Sequence, residues 1–299
     1  FLTFSVNIAG TATDTLTVTY TNNGFLADTA SNLLLTDLAI SVLDSAAAVI
    51  YEAFTADGNN NGHLDALYVR FSEDIDDPGG FGGFSLTDPI RSITGATLMG
   101  GDSLKFDLAE SSFYDTDSVP DIALNAGFIN DVASGAVVTV NLQNFTSTQD
   151  FAAPVIVNSN SLDLNADGYS DAIEVEFSEK IEDLDFLDAI NDFIVSSDDF
   201  VSSDEIVQFS SRVDSLTGVT TNVANDRYVR LRWTPVNTIG TGQYKLSYVN
   251  SLGDISDQSV NQNAIRDTAA IVVVDKASPT IISSVSLDSV DVDGNVETV

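Results

Sequence analysis

The chain has 299 residues, and its 45 Asp and Glu against 11 Lys and Arg give a formal net charge of −34. This charge argues against nucleic-acid binding, because phosphate contacts need a basic surface. The absence of cysteine excludes disulfide bonds and Cys-ligated metals, and His63, the single histidine, cannot form a His-rich centre. The sequence has no run of about 18 apolar residues, so it predicts no transmembrane segment.

Short segments that alternate apolar and polar residues predict β-strands along the chain. In chain order they lie at 16–20, 67–71, 104–108, 173–177, 228–233 and 244–249. Turns rich in Gly, Asn and Asp separate them, at a spacing of about 100 residues per group. The pattern therefore predicts an all-β fold of tandem Ig-like β-sandwich repeats.

Three landmarks recur in the same order and set the predicted repeat boundaries. They are a junction D-x-A-x-[AP]-x-I at 44–50, 150–156 and 275–281, a loop and strand D-x-N-x-[ND]-G-x-x-D-A-[LI]-x-V-x-F-S-E at 57–73 and 163–179, and an [LI]-x-D-x-[AS] turn around Asp28, Asp131 and Asp257. They predict the C-terminal part of one repeat at 1–44, whole repeats at 45–150 and 151–275, and the start of another at 276–299.

The second whole repeat is longer than the first, and the excess is an acidic insertion near 181–225. Residues 181–193 could form a short amphipathic helix there. The alternative is a surface loop, which is the more common form of such an insertion.

The repeated loop motif indicates cation binding. Oxygen-bearing side chains at alternate positions converge on one point, glycine at the sixth position permits the sharp turn, and the seventh residue offers its carbonyl. Hard oxygen ligands in a flexible loop suit Ca²⁺ better than Mg²⁺. The predicted ligands of the first loop are Asp57, Asn59, Asn61, the His63 carbonyl and Asp65, and those of the second loop are Asp163, Asn165, Asp167, the Tyr169 carbonyl and Asp171.

A shorter copy of the motif, the third loop at 289–297, offers Asp291, Asp293 and Glu297 and should bind more weakly. Between the two full loops, the second is expected to bind more tightly, because Asp167 stands where the first has Asn61. The alternative for every loop is an Asx-stabilised turn that binds no metal.

Acidic residues near the predicted junctions suggest an inter-repeat ion as well. Its ligands would be Asp150, Glu179, Asp183 and Asp257. The alternative is that Asp150 caps a turn at the linker, while Glu73 and Glu179 are solvated residues at strand ends.

The junction, the calcium-type loop, the V-x-F-S-E strand and a later L-x-D-x-A-G-N turn resemble the bacterial Ig-like repeats of S-layer proteins and large surface adhesins. The resemblance covers nearly the whole chain, although the last turn is degraded at 26–32, 129–135 and 255–261, and Ala48 replaces the junction proline in the first copy. It implies an extracellular, non-catalytic module, often calcium-dependent, that assembles into lattices, stalks or filaments.

Three functions remain open on this basis. The first is a calcium-stabilised structural segment of an extracellular surface-layer, sheath or filament protein, whose partners are other copies or neighbouring repeats. The second is the stalk or binding module of a giant adhesin, with a cell-surface glycan or protein as ligand. The third is an accessory domain of a secreted hydrolase. No carboxylate pair stands out for glycosidic chemistry, so the chain itself is not expected to be an enzyme.

Overall fold

The computed structural model describes the chain with gaps, and its described residues form strands, turns and bends without a helix. Among them, no helix has the length and apolar character needed to span a membrane. The prediction of an all-β fold is confirmed. The described residues are 17–21, 24, 26–34, 37–41, 46–132, 141–168, 170, 172–182, 193–197, 208–211, 226–232, 244–250, 255–279, 281 and 284.

The chain divides into two compact units, residues 1–152 and 153–299. The first unit contains a four-stranded sheet of order β3-β4-β7-β6, a three-stranded sheet of order β5-β8-β9 and a separate pair β1-β2, all antiparallel. Its strands are β1 (Thr17–Tyr20), β2 (Asp37–Ser41), β3 (Ile50–Ala56), β4 (Ala66–Phe71), β5 (Phe84–Thr87), β6 (Ile93–Leu98), β7 (Ser103–Leu108), β8 (Asp121–Leu124) and β9 (Gln143–Phe145).

Alternation along the strands builds the core of the first unit. In β4, Leu67, Val69 and Phe71 are buried, whereas the intervening residues Tyr68 and Arg70 face outward. Apolar side chains of β7, β5 and β8 join the same cluster. Because strand residues point alternately to the two faces, each sheet presents one apolar face to this shared core. The arrangement is that of a β-sandwich.

The second unit has a five-stranded sheet of order β13-β14-β11-β10-β17 and a three-stranded sheet of order β12-β15-β16. Neighbouring strands are antiparallel except that β17 is parallel to β10. A second core forms from both sheets of this unit. The strands are β10 (Ile156–Leu162), β11 (Ala172–Phe177), β12 (Phe193–Ser197), β13 (Gln208–Ser211), β14 (Tyr228–Arg232), β15 (Tyr244–Tyr248), β16 (Thr268–Val272) and β17 (Val274–Asp275).

The two units share the local structure of the repeated motifs. In the first unit the Ser72 backbone N–H donates to the Val49 carbonyl, and the Val49 N–H donates to Ser72 Oγ. Ser178 and Val155 exchange the same two hydrogen bonds in the second unit. The serine of the F-S-E motif therefore hydrogen-bonds a junction residue at the end of the strand that follows the loop. The pairs are Ser72 with Val49 and Ser178 with Val155. This role explains why junction and strand motif recur together.

The acidic insertion at 181–225 contributes β12 and β13, each at an edge of its sheet. The alternatives for 181–193, a helix or a loop, concern mainly 183–192, which lie outside the described residues. The predicted repeat boundaries stay predictions, with the division between the units falling after Ala152.

Candidate metal centres

The first loop, residues 57–65, connects the paired strands β3 and β4. The buried Asp57 carboxylate organises it: Oδ1 accepts the backbone N–H of Asn60 at 2.7 Å, and Oδ2 accepts that of Gly62 at 2.8 Å. Gly62 has φ of 87°, in the left-handed region that glycine adopts without steric cost. The sixth position of the motif therefore requires glycine.

The other predicted side-chain ligands of the first loop also turn oxygens toward its backbone. Asn59 Oδ1 accepts the Asn61 N–H at 3.0 Å, and Asn61 Oδ1 accepts the His63 N–H at 2.9 Å. Asp65 Oδ1 accepts the Gly58 N–H at 2.9 Å, which joins the two ends of the loop. The structure thus gathers the predicted side-chain ligands around one turn.

The second loop, residues 163–171, repeats this geometry between β10 and β11. Asp163 Oδ2 accepts the Gly168 N–H at 2.9 Å, Asp163 Oδ1 accepts the Asp167 N–H at 3.3 Å, and Asn165 Oδ1 accepts the Asp167 N–H at 2.9 Å. The first loop has equivalent bonds at 2.8, 3.4 and 3.0 Å. Positive φ values also match, at Asn60 and Ala166 and at the two glycines. Tyr169 and Asp171 lie outside the described residues.

Glu110 is a candidate ligand that the sequence motif did not reveal. It follows β7, the strand that pairs with β4, so the sheet brings it beside the first loop. Its Oε1 accepts the side-chain amides of Asn61 at 2.9 Å and Asn59 at 3.0 Å. The amides of Asn61 and Asn59, with a smaller contribution from the charge of His63, hold the Glu110 pKa below its ordinary value. These contacts therefore favour the ionised form of Glu110.

Glu110 changes the comparison between the loops. Asp107 faces Ala66 in β4 as Arg232 faces Ala172 in β11, so the position equivalent to Glu110 falls at Pro235, outside the described residues. The first loop then has three carboxylates, and the second loop has three by sequence. These are Asp57, Asp65 and Glu110, and Asp163, Asp167 and Asp171. Tighter binding at the second loop stays a prediction, and Glu110 is a reason to measure both loops.

The segment after Glu110 also holds the first loop. Asp115 Oδ1 accepts the Leu64 N–H at 2.9 Å, and the Asp115 N–H donates to the Gly62 carbonyl at 3.1 Å. The His63 ring lies 3.0 Å from the Phe113 carbonyl through Nδ1 and packs against Tyr114. The His63 side chain therefore contacts protein, and only its backbone carbonyl remains a candidate ligand.

The glutamates that end the repeated strand motif are buried, with Glu73 6% and Glu179 2% exposed. The alternative that they are solvated strand-end residues is wrong. Two residues after each glutamate, isolated bridges pair Ile75 with Asp131 and Ile181 with Asp257. These partners are distant in the sequence, so a local pattern does not predict the burial of the glutamates.

In the second unit, carboxylate oxygens of Glu179 and Asp257 lie within 4.8 Å of each other. Asp257 Oδ1 accepts the N–H groups of Ser259 and Asn263 at 3.0 Å, so it also organises its turn. In the first unit, Asp150 Oδ1 accepts the Ala152 N–H at 3.1 Å, as a turn-capping residue does. The inter-repeat ion stays a prediction, and Asp183 lies outside the described residues.

The third loop, with Asp291, Asp293 and Glu297, also lies outside the described residues.

Comparison with protein-family models, curated proteins and solved structures finds no match to the chain. The resemblance to S-layer and adhesin repeats therefore rests on the sequence motifs alone.

Proposed function

We propose that the chain is a non-catalytic, calcium-stabilised structural segment of an extracellular surface-layer, sheath or filament protein, built from tandem Ig-like repeats. The observation that carries the proposal is the geometry shared by the first and second loops, with three matching hydrogen bonds and two matching left-handed positions. Two residues suffice to connect antiparallel strands. The first and second loops are longer than this, acidic and similar in geometry, which supports a ligand-binding role.

The donors of both loops fit calcium. Carboxylate, amide and backbone carbonyl oxygens are the ligands of a hard cation, and calcium accepts six to eight of them with flexible geometry. Glu110 adds a charged oxygen from outside the first loop, beside Asn59 and Asn61. A bound cation would offset the mutual repulsion of Asp57, Asp65 and Glu110. It would also tie the first loop to the segment that follows β7.

Glu110→Gln tests the contribution of this distant carboxylate. The substitution keeps an oxygen that can accept the asparagine amides but removes one negative charge. A charge near a divalent ion at the surface contributes about 1–2 kcal/mol, so the calcium Kd of the first loop should rise about fivefold to thirtyfold. Isothermal titration of the full chain, and of a chain in which Asp163→Ala silences the second loop, measures the change.

Glu52→Gln is the matched control, because Glu52 pairs with Arg70 away from the loop, on the outer face of the same sheet. It should leave the calcium Kd unchanged. An unchanged Kd in Glu110→Gln as well would show that Glu110 does not act on the ion.

Assembly should depend on cations. With a net charge of −34, two copies of the chain repel each other at low ionic strength. Calcium that binds the acidic loops reduces this charge locally, whereas monovalent salt only screens it. A surface-layer or filament segment is therefore expected to associate when calcium is added and to separate when a chelator removes it.

Sedimentation velocity of the full chain in millimolar calcium, and in chelator at the same ionic strength, tests this proposal. The expected result is a reversible calcium-dependent increase in mass, which magnesium does not reproduce. A chain that binds calcium but stays monomeric over the whole concentration range would contradict the surface-layer proposal and favour the stalk of an adhesin.

A further inference from the structure

The sequence contains one N-x-[ST] motif with a residue other than proline in the middle, Asn144-Phe145-Thr146. This motif is the acceptor sequence for N-linked glycans, and its use requires an exposed asparagine in a secreted protein. Because there is a single copy in 299 residues, any N-linked glycan of this type has one predicted site.

The structure places Asn144 on β9, the last strand of the sheet β5-β8-β9. Its neighbours on the strand face the protein: the Gln143 side chain accepts the Ile50 N–H at 2.6 Å and donates to the Ala48 carbonyl at 2.9 Å, and Phe145 packs against the core. Since successive strand residues face opposite ways, Asn144 faces outward.

Both functional side chains of the motif are exposed, the Asn144 amide and the Thr146 hydroxyl. Neither takes part in a hydrogen bond with another described residue. Attaching a glycan to Asn144 would therefore break no side-chain hydrogen bond within the described part of the chain.

We propose that Asn144 is the acceptor of an N-linked glycan. A glycosyltransferase would join Asn144 Nδ2 to the anomeric carbon of a lipid-linked glycosyl diphosphate. The bond from that carbon to the diphosphate oxygen breaks, the lipid diphosphate leaves with the electron pair, and the amide loses one proton to a base of the transferase. No oxidation or reduction takes place.

A glycan at this position would also protect the sheet. Edge strands expose backbone groups that can pair with another chain, and proteins commonly cover or interrupt such edges. A hydrated glycan on a three-residue edge strand would obstruct strand pairing there. Interactions between copies of the chain would then occur on other surfaces.

The test routes the full chain, carrying a secretion signal, through cells whose secretory pathway contains the transferase. The added signal makes the result independent of the proposed calcium function. The expected intact mass of the secreted chain corresponds to one glycan, which peptide-N-glycosidase removes while converting Asn144 to Asp. Asn144→Gln and Thr146→Ala should abolish the added mass, whereas Thr146→Ser should retain it.

Asn141→Gln is the matched control, because Asn141 is exposed three residues earlier and outside the motif. It should leave the glycan in place. Circular dichroism of Asn144→Gln checks that this variant keeps its sheets. A secreted chain with the mass of the bare polypeptide, or a glycan that persists in Asn144→Gln, would overturn the proposal.

Discussion

Asp57→Ala is expected to abolish the calcium-dependent stabilisation of the first unit. A ligand that binds only the folded state at about 100 times its Kd contributes about 2.7 kcal/mol, and this contribution should disappear. The variant should also lose stability without calcium, because Asp57 accepts the N–H groups of Asn60 and Gly62. Leaving such groups unsatisfied costs about 1–3 kcal/mol. Hydrogen–deuterium exchange of peptides from β3 and β4, with calcium and with chelator, measures both effects.

Asn60→Ala is the control for this prediction. Asn60 occupies the fourth position of the motif, which contributes no side-chain ligand, and the second loop has Ala166 there with nearly the same φ. This variant should keep the difference in exchange between calcium and chelator. If Asp57→Ala kept that difference too, the first loop would be an Asx-stabilised turn and not a calcium site.

Phe71→Ala should strongly destabilise the first unit. Phe71 is 1% exposed and packs in the cluster formed by both sheets. Removing a buried phenylalanine leaves a cavity and costs about 3–5 kcal/mol. Exchange of the β4 and β7 peptides should therefore accelerate by more than a hundredfold if it proceeds through unfolding of the unit.

The matched control is Phe113→Ala, because Phe113 is 77% exposed in the same unit and holds His63 through its carbonyl alone. Its effect on stability should stay within about 0.5 kcal/mol, as for most surface substitutions. Equal effects of the two substitutions would contradict the packing described for this core.

Local sequence patterns predicted six of the strands, β1, β4, β7, β11, β14 and β15, and did so for a physical reason. The alternation of Leu67, Val69 and Phe71 with outward residues reflects burial of one sheet face, and the same holds for β7 and β11. The turn formed by the loop motif could also be predicted, because its hydrogen bonds join residues only two to seven positions apart. Patterns of this kind depend on neighbours along the chain.

Glu110 could not be predicted in this way. Its position beside Asn59 and Asn61 depends on the pairing of β4 with β7, and no spacing in the sequence specifies that register. The burial of Glu73 and Glu179 was missed for the same reason, because the closing bridges come from distant turns. Long-range pairing therefore decides the details of the site that the motif leaves open.

The first and second loops are each expected to bind one calcium ion. Equilibrium dialysis of the full chain against millimolar calcium counts the bound ions directly. Asp57→Ala and Asp163→Ala should each bind one ion fewer than the parent chain, and the double variant two fewer. Equal calcium content in the parent chain and the double variant would contradict the claim.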